Sequence, residues 1–509
     1  MTAVYRLPGR ARLGFALALL LAGGCRRDVD PGIGAGGPRL QPGRFELAAF
    51  LASAPTAVDS PTAVGLLAKR GIHWTANPAP PPARFPVAVP PGFRIAAASA
   101  DGDRVAFVRE IDPDSTEVLL HVRSRLDTRL LLPIDRDARF LPQRFSADGS
   151  RLWLFTDEGD DTLQLELLDP DTGRRERRAR PGCDALRLDA SPDGTVYAMQ
   201  WSCAGAVEAA LFEAASGVEL GPLPLPLDTR LARALPAGGT GGALYEVASA
   251  HLPRDLIYSD RLDPDSEARP LSFGLAPTIT AADLVEPSRL DLRSAAGTPL
   301  PAELWWPGRP TLPPPGLVWL ESDQRPPNWL EFEPFLQFLA NRGVAVLRLR
   351  LRGSDGFGLR FRHAADGRLV DAGLEDLDTA RAELVRRGAD PARIALVGEG
   401  PWSGALAAVA LVERNGRFAA AADFGGAADP LLALDVLPEL DEPARSWWIA
   451  RLGDPASEGA RRQRARMLLP TPLPARQLWI AALPDDSNSA RETFAALWEF
   501  LAAGLATPL

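Results

Sequence analysis

Between Arg393 and Ala408 the sequence reads Arg-Ile-Ala-Leu-Val-Gly-Glu-Gly-Pro-Trp-Ser-Gly-Ala-Leu-Ala-Ala. An apolar run of strand length reaches a glycine-rich turn and continues at once into an alanine-rich stretch of helix length. A strand that becomes a helix over so few residues needs small side chains where the two approach each other. Gly398 supplies one of them.

This strand, turn and helix match the nucleophile elbow of an α/β-hydrolase, in which a serine sits on the tight turn with small residues two positions to either side. Gly398 is the first small residue, Gly400 takes the serine position and Trp402 the second small position. The frame is present and the nucleophile is not. Trp402 is bulky where the turn needs to be tight, and is expected to fill or cover the pocket. The stretch resembles the elbow of the prolyl oligopeptidase family of serine peptidases, notably its acylaminoacyl-peptidase-like and dipeptidyl-peptidase-like branches, which carry Gly-Gly-Ser-Tyr-Gly-Gly-Tyr after a similar strand. Other stretches extend the resemblance. Ser294–Thr298 and Leu304-Trp-Trp-Pro307 look like the first hairpin of that family's catalytic domain. Arg352-Gly-Ser-Asp-Gly-Phe-Gly358 is similar to its Arg-Gly-Ser-x-Gly-Tyr-Gly loop, and reads as a structural turn whose glycines suit the backbone. The resemblance implies a C-terminal α/β hydrolase fold preceded by a β-propeller.

It also permits an audit of the catalytic triad. Asp485, after the strand Leu478–Ala482, falls on the acid position. Gly400 stands where the serine is lost, and Ser403, three residues on and within the first helical turn, is the alternative nucleophile. The histidine is absent: His73, His121, His251 and His363 are the four in the chain, and none follows the acid. After the strand Leu317–Leu320 the family has a His-Gly-Gly-Pro-like turn that helps to shape the oxyanion pocket. Here Glu321-Ser-Asp-Gln324 puts carboxylates in that place, poor company for a developing negative charge.

The front half repeats. Ser99-Ala-Asp-Gly102, Ser146-Ala-Asp-Gly149 and Ser191-Pro-Asp-Gly194 recur 47 and 45 residues apart, each leading into an apolar strand, with a weaker echo at Ala237-Gly-Gly239. A period in the mid-forties with four short strands per unit is a propeller blade, and about four are recognisable. The organisation read from the chain is 1–24 leader, 25–91 tether and proline-rich linker, 92–280 propeller-like and 281–509 hydrolase-like. Arg174, Arg175, Arg177, Arg178 and Arg180 cluster beside one hairpin, as a solvated edge or a contact patch.

Arg6, Arg10 and Arg12 precede an apolar run, Leu13–Leu21, and then Ala22-Gly-Gly-Cys25. This reads as a signal peptide, and the small residues before Cys25 resemble a bacterial lipoprotein cleavage site; a plain secretory signal is the alternative. The expected location is the bacterial cell envelope, with the membrane engaged through a lipid on Cys25. Cys183 and Cys203, the other two cysteines, flank a strand-like segment within one repeat; they are candidates for a disulfide in an oxidising compartment, or else two half-buried thiols. Their spacing is not that of a metal site, and no metal or cofactor is expected. A net charge of −9 disfavours nucleic acid as a partner. The reading favoured is a pseudoenzyme that binds or scaffolds, with a peptide or protein ligand in the groove between propeller and hydrolase and an undetermined oligomeric state. The alternative is a serine-type peptidase with residual or altered activity, through Ser403 or through acid chemistry at Glu321, Asp323 and Glu399.

Overall fold

Each Ser-x-Asp-Gly segment closes on itself through the same set of hydrogen bonds. In the first, the Ser99 hydroxyl donates to Asp101 Oδ1 (2.5 Å), the Asp103 N–H donates to the same oxygen (3.0 Å), and the Arg104 N–H donates back to Ser99 Oγ (2.9 Å). Ser146 with Asp148, and Ser191 with Asp193, repeat the pattern. The serine donors hold Asp101 and Asp148 below the usual carboxylate range. The glycines that follow have positive φ, 68°, 72° and 68°, as the reversal requires. They also carry the stacking. A β-carbon on Gly149 would lie 3.3 Å from Ser99 Cβ, and one on Gly194 3.1 Å from Ala147 Cβ, so successive turns lie directly on one another.

The computed structural model describes residues 87–506, apart from 113, 134–137, 192, 204–205, 223–229, 237–241, 260–267, 277, 309–312, 322–331, 425–444, 446–448, 455, 468–477 and 482–486. The turns join the first two strands of antiparallel, four-stranded blades. Blade one holds β1 (Arg94–Ala98), β2 (Arg104–Asp112), β3 (Ser115–Val122) and β4 (Asp127–Leu132); blade two holds β5 (Phe140–Phe145), β6 (Leu152–Thr156), β7 (Gln164–Leu168) and β8 (Arg175–Arg178). Blade three holds β9 (Cys183–Ala190), β10 (Val196–Cys203), β11 (Ala206–Glu213) and β12 (Glu219–Pro222); blade four holds β13 (Arg230–Pro236), β14 (Ala243–Ser249), β15 (Leu252–Ser259) and β16 (Ala268–Pro270). Inner strands are apolar on both faces because each is sandwiched between neighbours. In β6, Leu152 and Leu154 pack with Val118, Leu120 and Phe140, while Trp153 and Phe155 pack with Tyr197 and Met199 of β10. On the other face of β10, Val196 and Ala198 meet Ala234 and Tyr245 of blade four. The arginine cluster proves to be paired: Arg175 and Arg177 bind Glu166, Arg178 binds Glu176, and Arg180 binds Glu208, so this edge is charge-compensated.

The second half is one seven-stranded sheet. Its strands in chain order are β17 (Ser288–Arg293), β18 (Pro299–Trp305), β19 (Gly316–Glu321), β20 (Ala345–Arg350), β21 (Ile394–Glu399), β22 (Ala420–Phe424) and β23 (Leu478–Ala481), and their spatial order is β17-β18-β20-β19-β21-β22-β23. β18 runs antiparallel to both β17 and β20; the remaining pairs are parallel. Helices cover both faces: α1 (Pro334–Asn341), α2 (Leu359–His363), α3 (Leu369–Arg386), α4 (Pro401–Glu413), α5 (Glu458–Met467) and α6 (Ser487–Ala506). Leu347 and Leu349 of β20 join the core under α3 and α4, and Val346 joins the core under α1 and α6, so alternation along one strand builds both cores.

The two halves meet at Arg352–Gly358. Arg352 ties the loop to α3 through Asp376 Oδ1 (2.8 Å), Glu375 Oε2 (2.9 Å) and the Ala372 carbonyl (2.9 Å). Burial pushes the Asp376 carboxyl up to about 6, against the pull of Arg352. From the far end of the loop, the Gly358 N–H donates to Asp184 Oδ2 (2.8 Å), the Leu359 N–H to the Asp161 carbonyl (2.6 Å) and the Arg360 N–H to Asp161 Oδ1 (2.8 Å). Gly358 has φ 85° and ψ 166°, a conformation nearly exclusive to glycine. A β-carbon there would sit 2.7 Å from Asp161 Oδ2 and 3.1 Å from the Asp161 carbonyl oxygen. The loop is a turn, as its glycines suggest, and it is also the seat of the propeller. Gly358→Ala should therefore cost about 2–4 kcal/mol in urea unfolding. Gly367→Ala, also at positive φ but with nothing within 4 Å, should cost about 1 kcal/mol. Equal costs would mean that the loop is not held against blade two.

Candidate functional site

The elbow forms because β21 and α4 come closer than any side chain allows. A β-carbon on Gly398 would lie 1.9 Å from the Ser403 carbonyl oxygen and 2.5 Å from the Gly404 nitrogen. Gly400, at φ 99° and ψ 171°, makes the corner; its N–H donates to the Phe424 carbonyl (2.9 Å) and its own carbonyl accepts the first helical bond from the Gly404 N–H (3.0 Å). Pro401 at the first helical position has the φ that a helix start wants and no N–H to orphan. The corner thus carries no side chain.

Ser403 does not replace it. The residue is completely buried, and its hydroxyl donates back to the Glu399 carbonyl one turn earlier, as helical serines commonly do. An elbow presents its serine at the top of the sheet; this one is folded under the helix. Trp402, expected at the pocket, is instead buried among Ala405, Leu406 and the rest of the core beneath α3 and α4, because the first helical turn aims it inward. Asp485, Asp323, His73 and Cys25 lie outside the described residues.

The strand ends beside the elbow carry charge. Register sets Glu321 at the end of β19 opposite Glu399 on one side and Arg350 on the other. Glu321 pairs with Arg350 (2.9 Å) and reaches Arg348 (3.6 Å). Arg348 also binds Glu303 on β18 (3.0 Å) and Glu333 ahead of α1 (2.9 Å), and lies over the Trp305 ring. Burial alone would depress the Arg348 pKa; Glu303, Glu321 and Glu333 outweigh it and hold the guanidinium above its usual range. Glu399 Oε2 accepts the Trp319 indole N–H (3.0 Å). Of the three carboxylates weighed for acid chemistry, the two that are described are thus engaged, Glu321 by arginines and Glu399 by an indole. An oxyanion would need N–H donors aimed at open space; the side chains described at these strand ends are instead bound to one another.

None of the three described histidines bonds to the elbow. His121 is held by Thr128 in blade one, and His251 by Glu286 after blade four. His363, in α2, lies between Asp366 (2.6 Å from Nδ1) and Asp114 of blade one (3.4 Å from Nε2), where Arg362 also meets Asp114 (3.1 Å). Its bonds to Asp114 and Asp366 raise its pKa to about 9 against a smaller opposing effect of burial. Nothing in the sequence around His363 points to this pairing, since a partner in a different domain leaves no mark in the local sequence. The sign of the linkage follows from the raised value. His363 contributes its full stabilisation below about pH 6.5, and loses it as pH rises through about 9. The melting-temperature gap between the wild type and His363→Gln should accordingly be constant below about pH 6 and close between about pH 6.5 and 9. A gap independent of pH would refute the imidazolium.

A family model described as the prolyl oligopeptidase family matches residues 330–495. Dipeptidyl aminopeptidase BIII of Pseudoxanthomonas mexicana is 30% identical over 127 residues, 25% of this chain and 18% of that protein. Three similar solved structures are a prolyl endopeptidase (TM-score 0.65, 17% identity, 80% of this chain and 65% of that one), a puromycin-hydrolyzing peptidase of Mycobacterium tuberculosis (0.66, 17%, 83% and 71%) and prolyl oligopeptidase B of Galerina marginata (0.65, 16%, 82% and 64%). At such identities the likeness is one of fold, and the chain spans 65% of the first of these structures and 18% of the dipeptidyl aminopeptidase. Residues 330–495 are a prolyl oligopeptidase family domain, set in the propeller and α/β-hydrolase architecture of the solved prolyl oligopeptidases.

Proposed function

We propose that this protein is a non-hydrolytic relative of the serine peptidases, a binding or scaffold protein of the bacterial cell envelope anchored by a lipid on Cys25. The observation that carries the reading is the bare corner at Gly400, with Ser403 buried beneath it. Acyl transfer by this fold needs a hydroxyl on that corner and a base within hydrogen-bond reach. Loss of triad members lowers turnover by about 10⁴–10⁶. The ion pairs of Glu321, Arg348 and Arg350 support the same reading, since they place satisfied charges where a reacting carbonyl would need open donors.

The relatives are named as peptidases, so the ligand class proposed is a peptide or an extended protein segment. Its site is the groove between the propeller and the hydrolase sheet. Two measurements test the reading. A fluorophosphonate probe should leave the protein unlabelled, and Gly400→Ser alone should not produce hydrolysis of peptide or ester substrates. Labelling abolished by Ser403→Ala, or turnover in Gly400→Ser, would instead make it a serine hydrolase with altered machinery. Independently, the cell-grown protein should incorporate labelled palmitate, and Cys25→Ser should abolish this; incorporation retained in Cys25→Ser would exclude the anchor.

A further inference from the structure

We propose that the disulfide between Cys183 and Cys203 is a redox-sensitive latch on the contact between the propeller and the Arg352–Gly358 loop. The bond joins the first residue of β9 to the last residue of β10, which stand directly opposite each other in the antiparallel register with Cα atoms 4.2 Å apart. The next pair inward, Asp184 and Ser202, is the one that grips the hydrolase loop. Asp184 Oδ2 accepts the Gly358 N–H (2.8 Å), and the Ser202 hydroxyl donates to the Gly356 carbonyl (3.3 Å). Both residues are buried.

The position of β9 couples this pair to the bridge, which acts beside the hydrogen bonds from the Ala185 N–H to the Leu163 carbonyl (2.8 Å) and from Gln164 Nε2 to the Cys183 carbonyl (3.3 Å). β9 is an edge strand whose one sheet neighbour is β10, and Cys183 and Asp184 begin it. Strand ends fray unless something pins them. The Ser191–Gly194 turn closes the other end of the hairpin; at this end the covalent link is the disulfide. Asp184 also has to be held against a cost. Burial raises its pKa, and the donors from Leu163 and Gly358, with Arg139 nearby, counter that effect. Its Oδ1 accepts the Leu163 N–H (2.9 Å), so one carboxylate ties blade two, blade three and the hydrolase loop together. Freed to fray, β9 would take this carboxylate to water and leave the Gly358 N–H without its acceptor.

Opening the latch takes a dithiol reductant. One of its thiolates attacks the sulfur of Cys203, the less buried of the two residues, the disulfide breaks, and Cys183 leaves as a thiolate and takes a proton. The second thiol then resolves the mixed disulfide and frees Cys203. Two electrons and two protons pass to the cysteines, and the dithiol becomes its own disulfide. The outcome is a propeller edge that no longer holds residues 356–360, whether or not the elbow turns over a substrate.

Hydrogen–deuterium exchange of the full chain, with and without dithiothreitol, tests the proposal. On reduction, amides in 356–362 should exchange about five- to ten-fold faster together with those in 183–186, while β20 and α4 are unchanged. A Cys183→Ser, Cys203→Ser double variant should match the reduced protein and ignore the reductant. Asp184→Ala should release 356–362 in the oxidised protein with the disulfide intact. Faster exchange confined to 183–203, equal acceleration throughout the chain, or unchanged 356–362 in Asp184→Ala would each overturn the latch.

Discussion

A helix cannot cross a strand at the distance found between α4 and β21 unless the strand offers a bare α-carbon, and Gly398 offers one. That steric requirement fixes where α4 begins, and with it the corner at Gly400 and the direction in which Trp402 and Ser403 point. None of this depends on which side chain, if any, stands on the corner. The frame is held by packing: Ala405, Leu406 and Val409 on one side, the Phe424 carbonyl on the other. An elbow backbone can therefore persist with or without the chemistry usually built on it.

The charges around the elbow belong to the same economy of burial. Arg348 is buried mid-sheet, and three carboxylates from β18, β19 and the segment before α1 surround its guanidinium. Such a cluster gains little net stability over apolar packing, yet breaking it would strand a buried charge. Its effect is to cross-link the antiparallel edge of the sheet to its parallel centre. The result is a set of strand ends in which polar atoms are matched to each other.

Local features of this fold were legible in the sequence and distant ones were not. The Ser-x-Asp-Gly turns announced themselves because every partner lies within five residues. The strand and helix of the elbow, and the strands at Leu317–Leu320 and Leu478–Ala481, followed from apolar runs for the same reason. The absence of a hydroxyl at Gly400 could be read once the turn was located, although the burial of Ser403 and Trp402 needed the helix direction. By contrast, Gly358 and Asp184 are 174 residues apart, and Arg348 and Glu303 are 45 apart. Nothing in the stretch around Gly358 says that its missing side chain makes room for Asp161, and nothing around His363 points to Asp114.

The blades raise a matter of solitary survival. β6 and β10 expose oily side chains to both of their neighbours, so neither middle blade has a face suited to water. A chain cut between blades would present a wall of leucine, tryptophan or tyrosine that only an adjoining blade can cover. Partial arrays of this kind are invitations to clump, and synthesis from the amino end must pass through each of them. The front module is thus obliged to fold as a company rather than as individuals, and the contacts of Gly149 with Ser99 and of Gly194 with Ala147 give the second and third blades their places in the line.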